Sequence, residues 1–243
     1  MTIREEPIRY ICDNLNMLCY LYHDDAVKTP RPGVLVFPGA SGLGQWCREG
    51  ARRLAESGYV TLAGDYWGDA LFDGSLDPNT SAVTALYNTL VIDSPGKRRR
   101  ATAAMKALLA RPEVDKTKIA AMGYCFGGAM SLELALAGED IKAAIGFHTS
   151  IHGIPLGDVR NIKGRVLICN GADDPVAPPE ERVAFEAAMK GTGVRWQINV
   201  HGGVVHSFTD PYTKGADWVR YDTYATEDSW SAMLFLLRDV FGT

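Results

Sequence analysis

The sequence predicts an α/β fold: a mostly parallel central sheet, flanked by helices and opened by an antiparallel hairpin. Three observations predict it. Apolar runs such as Gly33-Val34-Leu35-Val36-Phe37 lack the polar alternation of a half-solvated strand and read as strands buried on both faces. Helical segments alternate with those runs along most of the chain. Near the start, Ile8–Cys12 and Met17–Leu21 flank the polar turn Asp13-Asn14-Leu15-Asn16, the pattern of a hairpin.

After the hairpin, the link Thr29-Pro30-Arg31-Pro32 precedes the Gly33–Phe37 strand. The loop Pro38-Gly39-Ala40-Ser41-Gly42-Leu43-Gly44 then enters an amphipathic helix running to about Glu56. Tyr59–Ala63 is the next strand and ends at Gly64-Asp65-Tyr66-Trp67-Gly68; Asp69 to Pro95 reads as irregular with one short helix. A helix follows near Lys97–Ala110, and its cationic cluster Lys97-Arg98-Arg99-Arg100 reads as a solvated helix end. Further strands are expected at Lys118–Met122, Ile141–Phe147, Arg165–Cys169 and Val194–Val200, and further helices at Ala129–Leu136 and Pro179–Met189. A closing helix over Ser229–Phe241 would bury Trp230, Met233, Leu234, Leu237 and Val240 at helical spacing. No repeat and no linker divides the chain, so one domain is expected over residues 1–243.

Composition narrows the function. With 47% hydrophobic and 22% charged residues, the chain has the profile of a soluble globular protein. A formal net charge of -4 without a basic stripe argues against nucleic acid as a partner. The five cysteines (Cys12, Cys19, Cys47, Cys125, Cys169) form no CxxC pair and no zinc pattern, so no metal is expected. The charged start Met1–Glu6 has no signal-peptide core, and no apolar run reaches the roughly 18 residues of a membrane span. No membrane association and a reducing cytoplasm are the expectation.

The stretch that carries chemistry is Gly123-Tyr124-Cys125-Phe126-Gly127-Gly128, which joins a strand to a helix with Gly-x-nucleophile-x-Gly spacing. A turn this tight strains the backbone of its middle residue, and flanking glycines remove side chains that would collide. The thiol then stands at a helix N-terminus, where free N–H groups favour a thiolate. A buried structural cysteine is the plain alternative.

A nucleophile of this kind needs a base and an acid that orients the base. Both belong on loops after late strands, at the carboxyl edge of the sheet. Asp173 and Asp174 lie in the turn after Val166–Cys169, and His201 and His206 follow the strand ending at Val200. Position on the loop favours Asp174 over Asp173, and His206, beyond Gly202-Gly203-Val204-Val205, over His201.

The elbow, the turn Gly171–Asp174 and His206-Ser207-Phe208, in this order, resemble the dienelactone hydrolase family, and the likeness covers nearly the whole chain. The resemblance implies an α/β-hydrolase fold with a sheet of about eight strands. It also implies a Cys125–His206–Asp174 triad that cleaves esters or lactones without a cofactor. Carried over likewise, the oxyanion donors are the backbone N–H groups of Phe126 and Ala40.

The chain departs from that family in two places. Dienelactone hydrolases proper carry a glutamate in the loop after the third strand, where Gly39 aligns, and no carboxylate occurs between Asp25 and Glu49. Of the two arginines that hold the family's substrate carboxylate, one position is Asp210, and the segment containing the other, Asp69 to Gly96, has no Arg or Lys. A neutral, apolar or aromatic ester or lactone is therefore expected, with Trp46, Tyr66, Trp67, Phe72, Tyr87 and His148 as candidate pocket residues and activated phosphate esters as side substrates. Acyl transfer on the same scaffold and a catalytically silent binding domain are the alternatives. A monomer or homodimer fits either.

Overall fold

The computed structural model describes residues 2–69, 81–214 and 216–242, without the side chains of 81–83 and 86. Its centre is an eight-stranded mixed sheet in the order β1-β2-β4-β3-β5-β6-β7-β8. β1 (Ile3–Cys12) and β2 (Leu15–Asp24) form an antiparallel hairpin, and β2 meets β4 antiparallel. Asp13 and Asn14 close the hairpin with φ of 52° and 61°, the left-handed pair that matches strand twist in a two-residue turn. The remaining strands, β3 (Arg31–Phe37), β4 (Val60–Ala63), β5 (Val114–Tyr124), β6 (Ala143–Phe147), β7 (Arg165–Gly171) and β8 (Trp196–His201), run parallel.

Among the described residues, six α-helices cover the two faces: α1 (Gln45–Glu56), α2 (Ser81–Val91), α3 (Ser94–Leu109), α4 (Phe126–Leu136), α5 (Pro179–Met189) and α6 (Thr223–Phe241). The two-residue period of β3 sorts them. Val34 and Val36 join the core beneath α1 and α6, with Leu54, Trp230 and Met233. Leu35 and Phe37 face the other way, into the core under α3, α4 and α5, with Leu108, Met130 and Phe185. In α6, Trp230, Met233 and Leu237 are buried, whereas Leu234 and Val240 are only half-buried.

The structure corrects the reading of the cationic cluster. Lys97 is not a solvated helix end: it is fully buried. Its ammonium lies 3.1 Å from Glu133 of α4, itself fully buried, and donates to the carbonyls of Val91 at 2.9 Å and Gly153 at 3.3 Å. Arg98 donates to the second oxygen of Glu133 at 2.9 Å, and Arg99 and Arg100 reach Asp13 in the hairpin turn. A run of four cations looks like a charged face, but α3 lies against α4 and brings a carboxylate opposite the run's first residue.

Candidate active site

β5 passes into α4 through Cys125, whose φ of 54° and ψ of -121° are the strained angles of the elbow. Glycines admit this path. A Cβ on Gly123 would collide with the carbonyl of Gly127, and one on Gly127 would strike the carbonyl oxygens of Phe37 and Pro38. The close approach of α4 to the end of β3 brings the 38–40 loop beside the thiol, whose sulfur accepts hydrogen bonds from the N–H groups of Phe126 and Ala40 and bonds to His206.

Two buried aromatics fix that loop from behind. The Tyr66 hydroxyl donates to the carbonyls of Gly39 at 2.6 Å and Pro38 at 3.1 Å, and Trp67 Nε1 donates to the Ala40 carbonyl at 3.0 Å. With their carbonyls held behind, Gly39 and Ala40 turn the Ala40 N–H toward Cys125.

His206 sits on a loop returned onto itself: its N–H donates to Trp218 O at 3.0 Å, and its carbonyl accepts from Arg220 N at 3.1 Å. Its Nδ1 lies 2.7 Å from Asp174 Oδ2, and Asp174 Oδ1 accepts from Val176 N at 2.8 Å. Asp173 is exposed and faces away. His201 instead pairs with Ser229 of α6 at 3.0 Å.

Electrostatics separate Cys125 from the other four thiols. Burial pushes Cys19 and Cys169 up to about 12 and raises Cys47 and Cys12 as well. Burial raises Cys125 too, but the charge and hydrogen bond of His206 and the two N–H donors outweigh it, and its pKa falls below the ordinary 9.0. His206 moves the opposite way, to about 10: burial disfavours its charge, and the Cys125 sulfur and the Asp174 carboxylate more than restore it. Each group draws the other toward its charged form, the thiol toward thiolate and the imidazole toward imidazolium, and a pair so charged can attack an electrophilic carbon or phosphorus and protonate what leaves.

A cleft of about 320 Å³ opens over the pair. Among the described residues, Trp46, Tyr87 and His148 line it together with Ala40, Cys125 and His206. Tyr66 and Trp67 do not: they are buried behind the 38–40 loop, packed on Phe126. Strand-end position brings them to the right edge of the sheet but not to its open side. Phe72 lies outside the described residues. His148, at φ 40°, is fully buried, bonds Thr209 through Nε2 at 2.9 Å, and meets the His206 ring edge-on at 5.0 Å. Burial and the His206 charge hold its pKa well below the ordinary value, so it stays neutral.

The sequence profile of the family described as "Dienelactone hydrolase family" matches residues 17–241. The chain belongs to the dienelactone hydrolase family. It is a hydrolase of that family, and solved structures agree in fold. The crystal structure of a dienelactone hydrolase-like promiscuous phosphotriesterase from metagenomic libraries superposes with a TM-score of 0.92, at 37% identity over 99% of both chains. An uncharacterized protein of Caenorhabditis elegans is 36% identical over 61% of this chain and 98% of its own length. A putative carboxymethylenebutenolidase of Escherichia coli is 25% identical over 90% of this chain and 81% of its own.

Set in the dienelactone hydrolase family, Gly39 gains meaning. A Cβ there would lie 3.6 Å from the Cβ of Cys125, so a side chain at this position would stand beside the thiol; glycine leaves the space open. Asp210 lines the cleft, its carboxyl raised by burial and accepting from Tyr212 N at 2.8 Å. Among the lining residues that went unread in the sequence are Lys214 and Trp218. Both lie on the loop after His206, in a polar stretch with no local periodicity, and only the return of that loop onto His206 brings them over the cleft. Among the described residues, no helix is long and apolar enough to cross a membrane.

Proposed function

We propose that this dienelactone hydrolase family member cleaves neutral carboxylic esters and lactones through a thioester on Cys125. The observation that carries the reading is Cys125 at the strained elbow, beside a buried His206 that Asp174 holds at 2.7 Å, with His206 and two backbone N–H groups drawing the thiol below its ordinary pKa. The thiolate adds to the carbonyl carbon, and the N–H groups of Ala40 and Phe126 receive the charge that develops on oxygen. His206 then gives its proton to the alkoxy oxygen as the C–O bond breaks. Water follows: His206 takes its proton, the hydroxide adds to the thioester carbon, and the C–S bond breaks to restore the pair. Asp174 holds the imidazole by Nδ1, so the opposite nitrogen faces the sulfur.

Neutral substrates suit the cleft. Trp46, Tyr87 and Trp218 give it aromatic walls, and Asp210 offsets the charge of Lys214. Neutral aryl esters are expected to exceed dienelactone and other anionic substrates in kcat/KM by at least about tenfold. A panel of p-nitrophenyl esters and lactones measures this, and comparable turnover of dienelactone would sink the neutral-substrate reading.

A second reading rests on the 37%-identical promiscuous phosphotriesterase, which covers 99% of this chain. Attack on the phosphorus of a neutral triester uses the same pair and donors, so slow release of p-nitrophenol from a dialkyl aryl phosphate is expected. Transfer of the acyl group to an added alcohol in place of water would appear as a new ester among the products.

The pair also dictates pH behaviour. Alkylation of Cys125 by iodoacetamide needs the thiolate, so its rate rises with pH through the lowered thiol pKa, with a midpoint below 9.0. Hydrolysis also needs the His206 proton, so kcat/KM falls again near pH 10. In His206→Ala the cation is gone and burial remains, so the alkylation midpoint moves up. An unchanged midpoint would show that His206 does not activate the thiol.

A further inference from the structure

Cys125 faces two spaces, not one. The cleft holds His206 and Ala40; a recess of about 10 Å³, room for a single water-sized group, also borders Cys125 and has neither of them in its walls. Among the described residues its walls include Val91 of α2, Phe126 and Ala129 of α4, and, on its polar side, Ser150 and the exposed His152, none of which lines the cleft. Tyr87 and Val176 border both spaces.

Resting on the thioester reading above, the positions of the reacting atoms divide a substrate between these spaces. The carbon bound to Sγ carries three other groups. Its oxygen anion lies against the N–H groups of Ala40 and Phe126. Its leaving oxygen must be within reach of His206, the proton donor, and therefore lies in the cleft. The acyl substituent takes the remaining direction, away from both, where the recess is. We infer that the enzyme selects esters of very short carboxylic acids with bulky apolar alcohols or phenols: the recess admits an acetyl methyl and little more, and the aromatic cleft takes the leaving group.

On its α4 side the recess is poorly able to widen. Ala129 and Phe126 are each 4% exposed and belong to the main core. The Phe126 ring is held edge-on by Tyr87 at 5.3 Å and by Tyr66 at 5.4 Å, and stacks on Trp67 at 6.1 Å. A longer acyl chain meets close-packed side chains whose displacement strains the core. A lactone, whose acyl carbon and leaving oxygen are joined, must bridge the two spaces past Tyr87 and Val176.

The test keeps the leaving group constant and varies the acid: p-nitrophenyl acetate, butyrate, hexanoate and octanoate, with wild type, Val91→Ala, Ala129→Val and Cys125→Ala. For wild type, kcat/KM is expected to fall by about tenfold or more from acetate to hexanoate, the discrimination a tight apolar pocket gives. Val91→Ala, which enlarges the recess, raises the hexanoate-to-acetate ratio; Ala129→Val, which narrows it, lowers the butyrate-to-acetate ratio. A flat or rising wild-type profile overturns the inference while leaving the thioester mechanism standing. So does a steep wild-type profile whose ratios neither variant moves, because the selection then lies elsewhere. Hydrolysis undiminished in Cys125→Ala, or absent for every ester in wild type, overturns the mechanism and the inference with it.

Discussion

Replacing Cys125 with alanine is expected to lower kcat/KM for a neutral aryl ester by about 10⁴- to 10⁶-fold, the loss typical when the nucleophile of such a triad is removed. The substitution deletes one sulfur at a position whose backbone is set by neighbouring glycines, so the elbow persists. His206, Asp174 and the N–H groups of Ala40 and Phe126 remain, and they retain about 10³- to 10⁴-fold over water through binding and charge stabilisation. The measurement is initial-rate hydrolysis of p-nitrophenyl acetate beside a thermal melt of the variant. A folded Cys125→Ala protein with the wild-type rate would remove the thiol from the mechanism.

Replacing Lys97 with methionine is expected to lower unfolding free energy by about 3–5 kcal/mol, the cost of breaking a buried ion pair from one side. Methionine fills much of the lysine's volume but cannot donate. Glu133 keeps Arg98 and Ser94 as partners but loses its fully buried cation, and the carbonyls of Val91 and Gly153 lose a shared donor. For a chain of this size, each kcal/mol lowers Tm by about 2–4 °C. Urea unfolding of Lys97→Met, Glu133→Gln and the double variant measures the coupling. The double variant should lose less than the sum of the singles, since removing both charges leaves neither stranded. A Lys97→Met protein within about 0.5 kcal/mol of wild type would place the ammonium among ordinary surface charges.

The elements of this fold were legible because their signals are local. Apolar runs, glycine loops and helical periodicity put the strands and helices in their observed order, although β1, β5 and α6 begin four to six residues before the expected starts at Ile8, Lys118 and Ser229, and the Gly-flanked Cys125 announced the elbow. The Lys97 reading failed because burial of a cation depends on what α4 presents across the interface, and Glu133 lies 36 positions away in the chain. Tyr66 and Trp67 show a subtler limit. Their place after β4 brings them to the carboxyl edge, but which side of the 38–40 loop they occupy is decided by packing on Phe126. Trp218 and Lys214 depend on the path of a long return loop, for which the sequence has no periodic signal.

Tyr66 and Trp67 bear on how negative charge moves during a turnover. In the proposed mechanism, the N–H groups of Ala40 and Phe126 serve an anion before any substrate arrives, the sulfur itself. When the sulfur attacks, that charge passes to the carbonyl oxygen, a neighbour within the same pair of dipoles, and returns to sulfur when the thioester is cleaved. The donors thus exchange one anion for another while their carbonyls stay bound to a phenol and an indole. On that mechanism the reacting centre is a relay in which only the charge travels, and the surrounding backbone has no reorientation to perform.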